Sequence, residues 1–167
     1  MPVLLLAAVW LLAPRPASAV PGAPPAPTPL APWSWPLDGA PPTITRPFEP
    51  PSSPYGPGHR GVDLAGAPGS PVLAAGSGVV AFAGMVAGRP VVSIDSAGGL
   101  RTTYEPVEPA VATGQAVARG SPVGTLLPGH AGCPVAACLH WGLRRGAVYL
   151  DPLTLLRPPR IRLLPWG

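Results

Sequence analysis

The 167 residues contain no lysine and no asparagine, and charged side chains make up only 11% of them. Without lysine, the formal charge of +4 rests on arginine alone. Those arginines are scattered except near the C-terminus, so no basic stripe of the kind that tracks a phosphate backbone is expected. A diffuse positive charge would instead draw the chain toward anionic polymers. Histidine is scarce too, with three residues, and cysteine stops at two, Cys133 and Cys138. Beyond the first residues no apolar run is long enough to span a bilayer, which takes about 20 residues. No segment before Asp151 carries a helical period, which excludes an all-helical architecture.

What is abundant is alanine, proline and glycine, as expected from the codon usage of a GC-rich genome. Residues 3–13 form one apolar run, followed by Ala17-Ser18-Ala19. That ending fits the small-residue rule for signal cleavage, and the cut is placed after Ala19, although the n-region lacks Arg and Lys. Residues 20–34 are mostly Pro and Ala and read as an extended linker. A domain is expected from 35 to 157, with a tail at 158–167. Export to an oxidising compartment, with an even cysteine count, favours a Cys133–Cys138 disulfide. With the leader removed, no membrane span is expected, and the chain is expected to be a monomer.

Within the domain, short β runs alternate with Gly-rich punctuation. Strands are expected at 43–46, 71–75, 78–84, 91–95 and 100–104, the last two joined at Ala97-Gly98-Gly99 as a hairpin. Val117, 123–126 and 139–143 complete the set. Asp151 and Pro152 are placed to cap and open one helical turn over 152–156. The pattern predicts an all-β fold, an antiparallel sandwich or barrel-like core with a groove. Val111, Gly114, Val117, Gly120 and Gly124 resemble the hammerhead of biotinyl and lipoyl carriers. Those carriers need a lysine for the cofactor, and this chain has none.

The histidines are His59, His130 and His140. His59 is followed by Asp63 in Gly58-His59-Arg60-Gly61-Val62-Asp63. Four extended residues span about 13 Å, whereas ligands of one metal, each bonded at about 2 Å, lie a few ångströms apart. The chain must bend between the two, and Gly58 and Gly61 would permit it. His140 lies in an alternating strand and shares a face with Cys138. Two imidazoles and one carboxylate make a three-ligand zinc site with an open fourth position. The ordinary alternatives are that the histidines fill surface or core and that Asp63 caps a turn.

His59-x-x-x-Asp63, Gly69-Ser70-Pro71-Val72, Gly78-Val79-Val80, Thr103-Tyr104, the glycines from Gly114 to Gly124, and His140 with Tyr149-Leu150-Asp151-Pro152-Leu153 together resemble the lysostaphin/LytM-type zinc metallopeptidases. The resemblance covers roughly residues 35–156. It implies an antiparallel β core with a groove, one Zn2+ held by His59, Asp63 and His140, and hydrolysis of peptidoglycan peptide cross-links or stems. With the leader and the scattered arginines, this gives a secreted, cell-wall-associated protein with peptidoglycan peptide as partner and no nucleic acid.

Two positions depart from the family pattern. The first His of the family's His-x-His pair is Cys138, and the catalytic His two residues after the hairpin tyrosine is Pro106. Neither proline nor a disulfide-bonded cysteine exchanges protons. Elimination leaves His130 for that work, with Tyr104 as a hydrogen-bond donor to a developing oxyanion. Glu105 is the nearby acid, and strand alternation is expected to turn it away from the Tyr104 face. A metalloendopeptidase and a non-catalytic wall-binding or regulatory module on the same fold both fit. A structural zinc closed by Cys138 as fourth ligand is a third possibility.

Overall fold

The computed structural model describes residues 32–53 and 56–157. The expected signal peptide (1–19), most of the linker (20–34) and the tail (158–167) lie outside the described residues. Eleven strands run in the order β1 (Ile44–Arg46), β2 (Gly61–Gly66), β3 (Pro71–Leu73), β4 (Gly78–Val86), β5 (Arg89–Ser96), β6 (Leu100–Glu105), β7 (Val107–Pro109), β8 (Ala116–Val117), β9 (Pro122–Leu126), β10 (Ala137–Arg145) and β11 (Val148–Leu150). Two short 3-10 turns, Ala97–Gly99 and Pro152–Leu156, are the helical elements among the described residues.

The larger sheet has the order β1-β2-β10-β6-β5-β4-β8, with β11 paired to β10. A smaller sheet, β3-β9-β7, packs over one of its faces. All pairings are antiparallel. The expected all-β antiparallel class is the observed one. The expected hairpin is β5–β6, turning at Ala97–Gly99. Asp151 caps the last turn by accepting from Leu153 N–H at 2.9 Å.

Alternation sorts the large sheet into an apolar and a polar face. Val62 and Leu64 on β2, Leu139 and Trp141 on β10, and Tyr104 on β6 are wholly buried against Val72, Val107, Val123 and Leu126 of the smaller sheet. Their strand neighbours Asp63, His140 and Glu105 therefore point to the opposite face. Packing starts earlier than the expected boundary at residue 35. Trp33 bridges Gly76, and the Ser34 N–H donates to the Ala75 carbonyl at 2.8 Å. Strands β2, β7 and β11 were not expected as such.

Tyr104 is a core residue. Its hydroxyl accepts from the Ala75 N–H at 3.0 Å and lies 3.0 Å from Thr102 Oγ1, to which it donates. Burial raises its pKa, against the lowering effect of those hydrogen bonds. The phenol ties β6 to the segment after β3, and its expected role at an oxyanion is corrected. Tyr104→Phe should leave Ala75 N–H and the Thr102 hydroxyl without this partner and lower stability by about 1–3 kcal/mol. Urea unfolding measures the loss, and bound metal per folded chain should stay at the wild-type level.

Candidate metal centre

One lateral row across four strands builds the polar face. Arg46 on β1 is opposite Asp63 on β2, Asp63 is opposite His140 on β10, and His140 is opposite Glu105 on β6. His59 enters from the segment before β2, where it pairs with Glu49 through two backbone hydrogen bonds of 2.8 and 3.0 Å. Gly58 holds φ +154° there, and a Cβ would lie 2.7 Å from the Glu49 carbonyl oxygen. Gly58 thus turns the chain just ahead of His59, while Gly61, the glycine expected to bend between His59 and Asp63, opens β2.

Gly61 does something other than bend. It is the first residue of β2, and a Cβ on it would collide with the Trp141 carbonyl oxygen and come within 2.7 Å of His140 Nε2. Its bare Cα is the wall against which the His140 ring is set.

The three expected ligands meet at one point. Asp63 Oδ1 is 2.9 Å from His59 Nε2 and 2.8 Å from His140 Nδ1, and the two nitrogens are 3.0 Å apart. His59 Nδ1 lies 2.7 Å from the Pro47 carbonyl oxygen. An acceptor at that distance requires Nδ1 to carry the proton, so in the neutral ring Nε2 presents its lone pair to the cluster. A lone pair facing a carboxylate oxygen at 2.9 Å is repulsive unless a cation sits between them. Ligands bonded at about 2 Å to one ion lie about 3 Å apart, so the spacing suits a metal. His59 and Asp63 are buried and His140 nearly so. The donor set fits a divalent ion of the zinc type.

The third histidine belongs to the same cluster. His130 Nε2 is 3.2 Å from Asp63 Oδ2, and its ring stacks on that of His140 with centroids 5.7 Å apart. Asp63 is thereby held through both oxygens. Burial acts to raise its pKa, but hydrogen bonds and charge from His130 and His140 outweigh burial and hold it well below the usual carboxylate range. It is ionised at neutral pH.

Cys133 and Cys138 are bonded, with Cα atoms 5.7 Å apart. Cys138 is therefore not a metal ligand, which removes the closed structural-zinc reading. Pro106 is buried where the strand run breaks between β6 and β7. Glu105 corrects the sequence reading. It does alternate against Tyr104, but the Tyr104 face is the core, so Glu105 looks into the cleft. That cleft holds about 330 Å³ above His59 and His140, and Arg46, Arg60, Arg89, Glu105, His130 and Ala131 line the rest of it. The sequence reading assigned no role to Arg46, Arg60 or Arg89. Their signal is register with the ligand strands, which composition does not carry.

Comparison with known proteins assigns the architecture. A match to peptidase family M23 covers residues 57–152, more than half of the chain. The chain belongs to peptidase family M23. An uncharacterized protein of Mycobacterium tuberculosis (strain ATCC 25618 / H37Rv) is 56% identical over 135 residues, covering 78% of this chain and 54% of that protein. The chain thus spans about half the length of the curated relatives it matches. A zinc-containing peptidase from Vibrio cholerae has a similar structure, with TM-score 0.59 and 26% identity over 75% of this chain and 39% of that one. The catalytic domain of lysostaphin from Staphylococcus simulans shares the fold, with TM-score 0.58 and 22% identity over 69% of this chain and 92% of that one. The lysostaphin/LytM-type resemblance is the M23 family itself, and the chain is a peptidase-like M23 domain.

The Gly61 contact yields a prediction independent of catalysis. Gly61→Ala should displace the His140 ring and weaken divalent metal binding about 10- to 100-fold, as loss of a ligand-orienting neighbour does. Competition titration with a chromophoric chelator measures it. Unchanged affinity would show that His140 is not set by this wall.

Proposed function

We propose that this chain is an exported zinc metalloendopeptidase acting on peptidoglycan peptide cross-links or stems. The observation that carries the reading is the convergence of His59 Nε2, Asp63 Oδ1 and His140 Nδ1 within 3.0 Å of one another at the floor of a cleft. Zinc held by these three side chains would activate water and polarise a peptide carbonyl. A purely structural site would close its fourth position with protein. Here Cys138 is committed to the disulfide, and His130 meets the outer oxygen of Asp63, Oδ2, rather than the point shared by the three ligand atoms.

The chain's own residues then divide the work. His59 is aligned by Pro47, and Asp63 is aligned by His130. Fixed partners behind metal ligands are what sets ligand orientation. His130 is the imidazole in the cleft outside the ligand set, and we assign it proton exchange with the leaving amine. It takes up the task that Pro106 and Cys138 cannot perform. Glu105 and the arginines shape the walls on either side of the ligands.

Export and cell-wall association are part of the same proposal. The leader expected from the sequence at residues 1–19 and the Cys133–Cys138 disulfide favour an oxidising compartment. A non-catalytic wall-binding or regulatory module is the second reading, and it rests on the replacement of two family histidines by Pro106 and Cys138.

Purified protein should carry one equivalent of zinc, and His59→Ala, Asp63→Ala and His140→Ala should each strip it. Wild-type protein should release soluble fragments from purified peptidoglycan. His130→Ala should keep the zinc and lose at least about 100-fold in cleavage rate, the usual span of proton-transfer catalysis. His130→Gln keeps a donor for Asp63 but no exchangeable ring proton, so it should be as inactive as the alanine variant. If glutamine restores cleavage, His130 only positions Asp63. Zinc-loaded wild type that cleaves no peptidoglycan would transfer the assignment to the binding module.

A further inference from the structure

The cleft over the ligand set carries three guanidinium groups against Glu105 in its lining and Glu49 beside Arg46, and the function proposed above gives the three arginines no contact with substrate. Asp63 is ionised, but both its oxygens are engaged by the imidazole cluster at the cleft floor, and a divalent ion bound there would more than offset its charge. Arg60 is built into the wall: it donates to the Gly56 carbonyl at 3.0 Å and lies over the Tyr149 ring. Arg46 and Arg89 are different. Their side chains are 48% and 51% exposed at the rim, whereas Glu105 is 17% exposed.

Register places these two on opposite flanks of the metal ligands. The row runs Arg46, Asp63, His140, Glu105. Arg89, which opens β5, reaches Glu105 with its Nε 3.3 Å from Oε2. Neighbouring strands are about 4.8 Å apart. Each guanidinium is thus rooted about one to two strand spacings from the ligand pair. Each is also steered by a carboxylate of its own, Glu49 for Arg46 at 3.2 Å and Glu105 for Arg89. A guanidinium has five N–H donors in a planar fork, so one such contact orients the group and leaves most of its donors for another acceptor.

We propose that Arg46 and Arg89 form a carboxylate-binding subsite on the two rims of the cleft. The preferred substrate is then a peptide with a free carboxylate within about one or two residues of the bond laid over His59, Asp63 and His140, at about 3.4 Å per extended residue. The inference rests on the peptidase reading for the placement of that bond. Its chemistry is its own: an arginine fork matches a carboxylate bidentately, and a cleft with an excess of one charge concentrates the opposite charge. A carboxamide at the same place offers one oxygen acceptor, no charge, and an NH2 that meets the fork donor to donor.

The test compares peptidoglycan stem tetrapeptides with free side carboxylates against the same peptides carrying carboxamides. Binding is measured by calorimetry on the zinc-loaded full chain and again on the metal-free chain. The carboxylate form should bind about tenfold more tightly, which is 1.4 kcal/mol, and 0.5 M salt should shrink the difference. Arg46→Gln with Arg89→Gln should abolish most of that preference while zinc content stays at one equivalent. If the double variant does not fold, each single variant should lose part of the preference. Equal binding of the two forms by wild type, or no binding of either, overturns the subsite. So does a preference that survives in the double variant, because the metal itself would then be reading the carboxylate. Peptidoglycan cleavage with equal binding sinks the subsite alone. A carboxylate preference without any cleavage sinks the peptidase reading and leaves the subsite standing.

Discussion

Asp63 is a buried carboxylate with an imidazole nitrogen on three sides. His59 and His140 meet its Oδ1, and His130 meets its Oδ2. A buried charge of this kind is costly unless it is paired and hydrogen-bonded. The three histidines come from three separate places: the segment before β2, strand β10, and the loop that enters β10. Holding them around one carboxylate therefore fixes how those segments meet. A divalent ion at the shared point would supply positive charge that otherwise has to come from protonated imidazoles. The same lone pairs that demand a cation are then the ones that bind it.

The sheet makes that convergence possible through register. Asp63 and His140 are direct cross-strand partners, and the row continues to Glu105. A slip of one residue between β2 and β10 would send Asp63 into the core and Val62 or Leu64 into the cleft. The apolar residues on the other face prevent it. Trp141, Leu139, Val62 and Leu64 are all wholly buried against the smaller sheet. Core packing on one face thus sets the chemistry on the other, and the bare Cα of Gly61 gives the His140 ring its place.

The features legible in the sequence were those that local pattern dictates. Alternation in 139–143 correctly separated His140 from Trp141. The His59-x-x-x-Asp63 spacing pointed to two side chains that do converge with His140, and Asp151-Pro152 marked the capped turn. What failed was nonlocal. Glu105 was placed away from the site because alternation tells which residues share a face but not which face the second sheet covers. That is decided by where β3, β7 and β9 pack. Tyr104 was given to the site for the same reason. Strand β2 was hidden by its glycines, which read as a bend but serve as clearance. Trp33 was read as linker because its neighbours are Pro and Ala, while its partner Gly76 lies 43 positions away in the sequence. His130 was reached by elimination; no motif around it pointed to a cleft.

The disulfide connects the two halves of that last point. The lysostaphin/LytM-type pattern expects an imidazole at position 138, on the same face of β10 as His140. This chain puts a cysteine there and bonds it to Cys133. Cys133 lies three residues from His130, and its N–H donates back to the His130 carbonyl at 3.2 Å. The cross-link therefore closes the loop onto the ligand strand and limits where the His130 ring can go. The ring comes to rest stacked on His140 with Nε2 on Asp63. Losing the strand-borne histidine and gaining the tether are one structural change at one position: the side chain that no longer carries an imidazole is the anchor that brings another to Asp63 and His140. Pro106 has no such counterpart. It is buried between β6 and β7, and the side chain that faces the cleft from that turn is Glu105. The two departures are thus unequal. One moves an imidazole from a strand to a loop, and the other leaves a carboxylate, steered by Arg89, as the polar group that the end of β6 contributes to the cleft.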